Sequence, residues 1–222
     1  MSVYGDSVTT EADDIVAVGG NLEPDTILKA YRNGVFPWPA EDLPLLWFCP
    51  RERAILQFDR IHLSRSLLKA LERSPFRCTI DREFSRVIRE CAEIPRKDQD
   101  GTWITPNMIR GYEKLHALGA AHSIETWRGD RLIGGTYGVD SGGAFAAESM
   151  FHREPYASQF ALLHLVEHLK RRGLKWLDIQ MLTPHLVRMG AHTVPRPTFL
   201  KLLEEAIKPK RNLFPKAPPH DE

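Results

Sequence analysis

Residues 175–182, KWLDIQML, place an acid and an amide two positions apart in a run typical of a buried strand. Side chains alternate between the two faces of a strand, so the pattern predicts that Asp178 and Gln180 share one face with Trp176. A buried carboxylate is costly unless a charged or hydrogen-bonding group meets it. The pair could therefore serve hydrogen bonding or proton transfer in a site, or it could satisfy neighbouring backbone groups. The pattern alone leaves both interpretations open.

A second candidate site is His164-Leu-Val-Glu167-His168, an H-x-x-E-H spacing on a predicted helix. This spacing can put two histidines on one face as zinc ligands, with the glutamate as a general base. No third ligand can be placed from the sequence, so we expect no metal site. A zinc metalloprotease remains an alternative interpretation of the motif.

A third candidate is a basic stripe, in which cations recur every four residues of the predicted helix 62–73: Arg65, Lys69 and Arg73. Residues four apart lie on one face of a helix, and Leu67, Leu68 and Leu71 occupy roughly the opposite side. The pattern predicts an amphipathic surface helix. Its basic face is either simply solvated or turned toward a polyanion.

Composition bounds the class of protein. The chain has 222 residues, 42% of them hydrophobic, and a formal net charge of +1, which suits one large domain with a smaller companion. It has no run of 18 apolar residues and begins with a polar, acidic stretch, so we expect neither a membrane span nor a signal peptide. Three widely spaced cysteines without a C-x-x-C pair fit reduced thiols in the cytoplasm. We expect a cytoplasmic monomer.

The elements that must position these residues divide the chain at about residue 60. Residues 1–60 are rich in turns and predict a small N-terminal domain with one helix, which begins at Pro24 and stops at Gly34. Residues 61–222 predict a larger domain. Its first elements are the helix 62–73, the strand FRCTI, a helix through Phe84, Val87, Ile88 and Cys91, the polar loop EIPRKDQDGTW, and a helix from Pro106 to Leu118.

The second half of the larger domain predicts strands followed by helices. HSIETW, LIGGTYGV and AFAAESM, joined by short turns, predict an antiparallel meander. A long helix over 159–172 follows, capped by Ser158 and closed by Gly173. The remaining predicted elements are the strand 175–182, a short helix around His185 and a helix over 198–207.

This order of elements is α+β and suggests an acetyltransferase-like (GNAT) mixed sheet. In such enzymes a glycine-rich loop after the meander holds the pyrophosphate of acyl-CoA. The corresponding loop here, FHREPYAS, contains no glycine, which disfavours an acyl-CoA donor. Residues 208–222, KPKRNLFPKAPPHDE, predict a loosely ordered tail.

Seven strings resemble, in the same order, the motifs of leucyl/phenylalanyl-tRNA–protein transferases: GGNL, YRNGVFPW, GTWITPNM, HSIETW, GGTYGV, ESMF-x-R-x-x-x-AS and LDIQ-x-x-x-x-H-x-x-x-MGA. The resemblance runs from about Ile15 to about Leu203. It implies a protein with an acetyltransferase-like larger domain that moves leucine or phenylalanine from tRNA to proteins beginning with arginine or lysine, marking them for degradation. The aminoacyl ester is already activated, so the resemblance implies no cofactor.

The resemblance also implies roles for individual residues. Asp178 and Gln180 match a relay in which the amide oxygen accepts a hydrogen bond from the attacking amine while the carboxylate polarises the amide. Glu148 matches an acid beside the aminoacyl-adenosine. The residues that match the pocket for the leucine or phenylalanine side chain are Phe145, Met150, Leu165 and Leu169, with Leu177 and Thr136 nearby. The residues that match the tRNA contacts are Trp38 and Trp103 flanking the terminal adenosine, Tyr31 and Tyr112 near it, and Arg65, Lys69 and Arg73 against phosphates.

Other functions stay open at the level of the sequence. A GNAT-type acyltransferase would use acyl-CoA, a metalloprotease would use the H-x-x-E-H motif, and a tRNA-binding module would use the basic stripe without catalysis. The pocket residues could also be ordinary core, because Leu165 and Leu169 lie on a helix face that would be buried in any case. Each tryptophan could equally be a core residue.

Overall fold

The computed structural model describes residues 12–39, 44–94 and 103–215. Most of the predicted polar loop EIPRKDQDGTW lies outside these ranges, as do the last residues of the predicted tail. Two sheets run through the described residues, one of three strands near the N-terminus and one of seven strands.

The smaller sheet is built from Ile15–Val18 (β1), Phe36–Trp38 (β2) and Leu46–Phe48 (β3). Its order is β1-β3-β2, with both pairs antiparallel. The helix Pro24–Arg32 (α1) connects β1 to β2 and confirms the predicted helix that begins at Pro24. The three strands were not predicted, because strands of three or four residues are too short for a period of two to stand out. Pro37 inside β2 weakens the strand pattern further.

The larger sheet is built from Glu52–Gln57 (β4), Arg77–Ile80 (β5), Ala121–Arg128 (β6), Arg131–Asp140 (β7), Phe145–His152 (β8), Trp176–Gln180 (β9) and His192–Pro195 (β10). Its order is β10-β4-β9-β8-β7-β6-β5. The pairs are antiparallel except β8 with β9, which run parallel. The predicted meander is confirmed as β6, β7 and β8, and FRCTI is confirmed as β5. A mixed sheet with helices agrees with the predicted α+β class.

The strand β4 lies on the N-terminal side of the predicted domain boundary but belongs to the larger sheet. It pairs with β9 through Ile55 and Asp178, and with β10 through Ile55 and His192. Residues 54–56 are buried almost completely. The division into two domains therefore stays a prediction, and this pairing favours a boundary before residue 52.

The remaining helices are Arg65–Arg73 (α2), Phe84–Glu93 (α3), Pro106–Ala117 (α4), Ala157–Lys170 (α5), Pro184–Arg188 (α6) and Arg196–Ile207 (α7). They confirm the predicted helices, with boundaries shifted by a few residues. Among the described residues, no helix is both long and apolar enough to cross a membrane.

Both faces of the larger sheet are buried. In β8, Phe145 and Ala147 join a hydrophobic cluster with α5, whereas Ala146 joins a cluster with α3 and α4. This division follows from the period of two along a strand. Tyr31 and Phe36 from the N-terminal part belong to the cluster of α3 and α4. The small sheet and its helix therefore pack into the same core as the larger sheet.

The start of α5 differs from the prediction. Ser158 was predicted as the N-cap, but the N-cap is Tyr156, which adopts a left-handed conformation with φ of 68°. Ser158 lies inside the first turn and is buried. An N-cap serine contributes only about 0.5–2 kcal/mol, so the packing of the β8–α5 connection can decide where the helix begins.

The short helix α6, which carries His185, is fixed at both ends. The Oγ1 of Thr183 accepts a hydrogen bond from the backbone N–H of Leu186 at 3.3 Å and caps its N-terminus. Gly190 follows its C-terminus with φ of +100°, and a Cβ there would lie 2.1 Å from the carbonyl oxygen of Arg60. Only glycine allows this close approach of the two backbones. The approach therefore accounts for the glycine of the MGA string.

The described part of the predicted tail packs against the larger domain. Leu213 is fully buried. The ring of Phe214 stacks on that of His122, with centroids 3.8 Å apart and planes within 9° of parallel. Leu213 and Phe214 are therefore held by the fold, while residues 216–222 of the predicted tail lie outside the described ranges.

Candidate active site

A buried arginine meets Asp178. Arg53 lies on β4, the strand beside β9, and its Nε and Nη2 donate to the two carboxylate oxygens of Asp178 at 2.8 and 2.6 Å. Arg53 is 1% exposed and Asp178 is 5% exposed. Two N–H groups bonded to one carboxylate form the strong bidentate geometry of arginine–carboxylate pairs. The carboxylate that the strand pattern left without a partner is therefore neutralised inside the fold.

Two aromatic rings and a carbonyl hold the guanidinium of Arg53. Its central carbon lies 4.7 Å from the ring centroid of Phe36 and 4.5 Å from that of Phe199. Its Nη1 donates to the carbonyl oxygen of Gly34 at 3.1 Å. Sequence reasoning missed Arg53 and left it in a turn-rich segment. The signal that could have found it is a cation directly before the apolar run AIL, opposite in charge to the single acid of β9.

Gln180 ends β9 in the left-handed region, with φ of 55°. Its backbone N–H donates to Oδ1 of Asp178 at 3.0 Å, and its side-chain Nε2 donates to Oε1 of Glu148 at 2.6 Å. The regular alternation behind the predicted shared face ends at this residue, because alternation requires an extended backbone. Asp178 contacts the backbone of Gln180, whereas Glu148 contacts its side-chain amide.

Glu148 joins Gln180 to two tyrosines. The hydroxyl of Tyr112 donates to Oε2 of Glu148 at 3.4 Å, and the hydroxyls of Tyr31 and Tyr112 lie 2.6 Å apart. Burial raises the pKa of Glu148 to about 7, although hydrogen bonds from Tyr31 and Gln180 act in the opposite direction. Burial also raises the pKa of both tyrosines well above the ordinary 10.0, so they remain protonated donors at neutral pH. The tyrosines predicted near the adenosine thus adjoin the predicted catalytic acid.

A cavity of about 520 Å³ opens beside Glu148. Its lining consists of Thr136, Ala147, Glu148, Ser149, Met150, His152, Tyr156, Ser158, Gln159, Leu162, Ile179, Met181, Thr183, His185 and Leu186. The predicted site residues in this lining are Glu148, Thr136 and Met150. Asp178 and Gln180 are not part of it, and Gln180 is connected to the cavity through its hydrogen bond to Glu148.

The other four predicted pocket residues, Phe145, Leu165, Leu169 and Leu177, are at most 1% exposed and are absent from the cavity lining. Besides the predicted Met150, the apolar wall contains residues that the prediction did not include, Ala147, Leu162, Ile179 and Leu186. These last four and the four buried ones belong to one hydrophobic cluster. The four predicted residues are thus part of the core that supports the wall, and their contact with substrate stays a prediction.

Trp38 and Trp103 stack on each other, with ring centroids 5.3 Å apart and planes within 8° of parallel. Stacked aromatic rings lie about 3.4 Å apart. A base inserted between the two tryptophan rings would therefore require these rings to be about 7 Å apart. The predicted flanking of the terminal adenosine by both tryptophans therefore requires the rings to separate. An outer ring face could receive a base without that change.

The basic stripe of α2 faces solvent. Arg65, Lys69 and Arg73 are exposed, and none of them forms an ion pair or side-chain hydrogen bond with a described residue. On the predicted apolar side, Leu67 is buried but Leu68 is 43% exposed. Consecutive residues of an α-helix point about 100° apart, so Leu68 turns away from the core that holds Leu67.

Within the H-x-x-E-H motif, His168 packs inside the fold, whereas His164 and Glu167 are exposed. Nε2 of His168 donates to the carbonyl oxygen of Leu213 at 2.8 Å, and its ring stacks on Phe214. Glu167 pairs with Arg171 at 3.1 Å. In the part of the chain that the structure describes, no group of three or more histidine, cysteine or acidic side chains could hold a metal ion.

Two family models match the chain. One, described as leucyl/phenylalanyl-tRNA protein transferase, matches residues 55–204. The other, described as the N-terminal domain of leucyl/phenylalanyl-tRNA protein transferase, matches residues 20–51. The interval between the two matches falls at the start of β4.

Three similar proteins carry the name leucyl/phenylalanyl-tRNA–protein transferase. The protein of Anaeromyxobacter sp. (strain Fw109-5) is 47% identical over 92% of this chain and 87% of its own. The protein of Syntrophotalea carbinolica is 48% identical over 93% of this chain and 90% of its own, and that of Shewanella woodyi is 48% identical over 88% and 82%. Among solved structures, that of L-PGS from Bacillus licheniformis covers 70% of this chain and 64% of that chain, at 14% identity and a TM-score of 0.45. That likeness is too weak to define the fold.

Proposed function

The chain belongs to the leucyl/phenylalanyl-tRNA protein transferase family, and we propose that the network around Glu148 is the site where it moves leucine or phenylalanine from charged tRNA to an acceptor protein. As a member of this family it is a transferase acting between aminoacyl-tRNA and protein. One observation carries the proposed site: Glu148 lines the cavity and accepts the side-chain hydrogen bond of Gln180 at 2.6 Å.

The reaction starts from an aminoacyl ester on the terminal adenosine. The α-amine of the acceptor attacks the ester carbonyl carbon, an amide bond forms, and the ester C–O bond breaks to leave a ribose hydroxyl, which takes up a proton. A free α-amino group has a pKa of about 8, so the amine must lose a proton before or during its attack. A positioned hydrogen-bond acceptor beside the amine therefore speeds the reaction.

Gln180 and Glu148 supply that acceptor. Because Nε2 of Gln180 donates to Glu148, the amide oxygen of Gln180 is the end that remains to accept a hydrogen bond from the amine. Ionised Glu148, whose pKa is about 7, polarises the amide toward this oxygen. In this proposal Glu148 takes the polarising role that the resemblance implied for Asp178. Asp178 instead fixes the backbone of Gln180, while Arg53 neutralises Asp178.

The donor binds at the cavity and beside the stacked tryptophans. The cavity of about 520 Å³ is within the size range of small-ligand pockets, and its apolar wall at Leu162 and Leu186 suits a leucine or phenylalanine side chain. The terminal adenine stacks on an outer ring face of the Trp38–Trp103 pair, an interaction worth about 1–3 kcal/mol per base. The exposed cations of α2 meet phosphates of the tRNA body.

The acceptor is a protein whose first residue is arginine or lysine, and the added leucine or phenylalanine marks it for degradation. Because the donor is charged tRNA, we place the reaction in the cytoplasm. Separately, we expect a monomeric enzyme. The acetyltransferase-like description of the sheet belongs to the same proposal. It is supported by the meander β6-β7-β8, the helix α5 and the parallel pairing of β8 with β9.

We expect the purified protein to transfer labelled leucine from leucyl-tRNA to peptides that begin with arginine or lysine. Peptides of otherwise identical sequence that begin with alanine or glutamate are expected to remain unlabelled. The measurement is the label recovered in peptide after separation from tRNA, with free leucine plus uncharged tRNA as the control. Absence of transfer to every peptide would overturn the proposed function, whereas equal transfer to all of them would overturn only the acceptor preference.

The basic stripe predicts a salt-dependent affinity for tRNA. Each cation that neutralises a phosphate contributes about 0.7–0.9 to the slope of log affinity against log salt concentration. Arg65→Ala with Arg73→Ala should therefore flatten that slope by roughly one to two units, similarly for different tRNA sequences. The matched control is Arg89→Ala with Arg171→Ala, since these arginines already pair with Glu113 and Glu167. If the first double variant keeps the wild-type slope, the stripe is only a solvated face.

A further inference from the structure

His185 carries a buried ring nitrogen that the described residues leave without a hydrogen-bond partner. Its Nε2 is buried, and no described side chain or backbone group bonds to it. The residue lies on α6 and lines the same cavity as Glu148. A buried polar atom without a partner costs free energy, which a ligand that supplies the missing hydrogen bond would recover.

The imidazole of His185 is neutral at neutral pH. Burial lowers its pKa below the ordinary 6.5, and the charges of Arg188 and His152 act in the same direction. A neutral imidazole offers one nitrogen as an acceptor and one as a donor. Next to a cationic ligand, the unprotonated nitrogen can therefore accept an N–H without repulsion between like charges.

The cavity lining holds two chemically different sets of side chains. Ala147, Leu162, Ile179 and Leu186 form the apolar wall. The polar side chains of the lining include those of His152, Tyr156, Gln159, Thr183 and His185, which we call the polar rim, and the carboxylate of Glu148. The apolar wall suits the donor's leucine or phenylalanine side chain. The polar rim is not needed for that side chain and has the chemistry to bind a cation.

We propose that the polar rim binds the basic first side chain of the acceptor and that Nε2 of His185 accepts a hydrogen bond from its guanidinium or ammonium group. This inference rests on the proposed function and extends it, because it assigns an acceptor-binding residue to the same cavity. His185 belongs to the LDIQ-x-x-x-x-H string but has no part in the transfer step proposed for Glu148 and Gln180.

The test is steady-state kinetics of His185→Leu with the acceptor peptide and leucyl-tRNA varied separately. Loss of a hydrogen bond to a charged group should raise the KM for an arginine-initiated peptide by about 10- to 100-fold. The KM for leucyl-tRNA should change by less than about 3-fold. His185→Gln, which can present an amide near the former Nε2 position, should recover most of the acceptor affinity.

His192→Leu is the matched control. His192 also carries a buried ring nitrogen without a partner among the described residues, but it lies on β10 and is absent from the cavity lining. Its replacement should leave the acceptor KM unchanged. If His185→Leu folds poorly, His185→Asn tests the same inference, since asparagine is too short to reach the Nε2 position.

Three results would overturn the inference. They are an unchanged acceptor KM in His185→Leu, a rise in the KM for leucyl-tRNA instead, and an equal effect of His192→Leu. Failure of the proposed function itself looks different, because the wild-type protein would then transfer no leucine to any peptide.

Discussion

Replacing Gln180 by alanine is expected to lower the rate of leucine transfer by about 10²–10⁴-fold, the range typical of positioned proton-transfer groups. Affinity for leucyl-tRNA should stay near the wild-type value, because the phosphates and the terminal adenosine are held elsewhere. The reason is geometric. Gln180 donates to Glu148 at 2.6 Å, which leaves its amide oxygen as the acceptor for the attacking amine. Single-turnover transfer and tRNA binding, measured on the same preparation, separate the two effects.

Glu148→Gln tests the partner of that hydrogen bond. Glutamine keeps an oxygen that can accept from Gln180 but removes the ionisation that burial shifts to about pH 7. In the wild-type enzyme, transfer at low acceptor concentration should rise with pH through two ionisations, that of Glu148 near 7 and that of the free amine near about 8. In Glu148→Gln only the second should remain, so the pH dependence below 7 becomes less steep.

Residues that act as a unit give non-additive losses, so Gln180→Ala combined with Glu148→Gln should be little slower than the slower single variant. Two results would contradict this mechanism. A folded Gln180→Ala enzyme that transfers leucine at the normal rate would remove Gln180 from the chemistry. An unchanged pH profile in Glu148→Gln would remove the ionisation of Glu148 from the rate.

Breaking the pair of Arg53 and Asp178 is expected to destabilise the protein by about 3–5 kcal/mol, because either single replacement leaves a buried charge without its partner. Asp178→Ala leaves the guanidinium of Arg53 without a counter-ion between the rings of Phe36 and Phe199. Arg53→Met leaves the carboxylate of Asp178 without a counter-ion within the sheet. Chemical unfolding of each variant gives the free energy of unfolding that checks this.

Two further variants make this test specific. Arg53→Met combined with Asp178→Leu removes both charges and should lose much less than the two single variants together. Arg171→Ala breaks the exposed pair with Glu167 and should cost at most about 1 kcal/mol. If Asp178→Ala is no less stable than Arg171→Ala, the buried pair does not hold the sheet together.

Asp178→Ala also separates the contribution of Asp178 to stability from its effect on the rate of transfer. Folded Asp178→Ala should transfer leucine more slowly than the wild type, because the backbone N–H of Gln180 loses its acceptor. The loss should be smaller than in Gln180→Ala, which removes the side chain itself. A normal transfer rate in folded Asp178→Ala would restrict Asp178 to stabilising the strand.

The sequence by itself determined the longer elements of the fold. The helices α3, α4 and α5 and the meander β6-β7-β8 follow from apolar periodicity and turn residues, which are properties of neighbouring positions. It also singled out Glu148, Gln180 and the stripe of α2, and its strings identified the family to which the chain belongs. In each case the signal was local, so it was readable without knowledge of which segments meet.

Only the tertiary structure decided which distant residues meet. Arg53 is 125 positions from Asp178, and their contact depends on β4 lying beside β9. The φ of 55° at Gln180 turned its side chain toward Glu148, which no period of two could indicate. The tertiary structure also decided which residues line the cavity. The sequence cannot distinguish Leu162 of α5, which lines it, from Leu165 and Leu169 of the same helix, which do not. Burial, partner choice and cavity shape arise from contacts between segments far apart in the chain, and a linear pattern of residue types carries no record of those contacts.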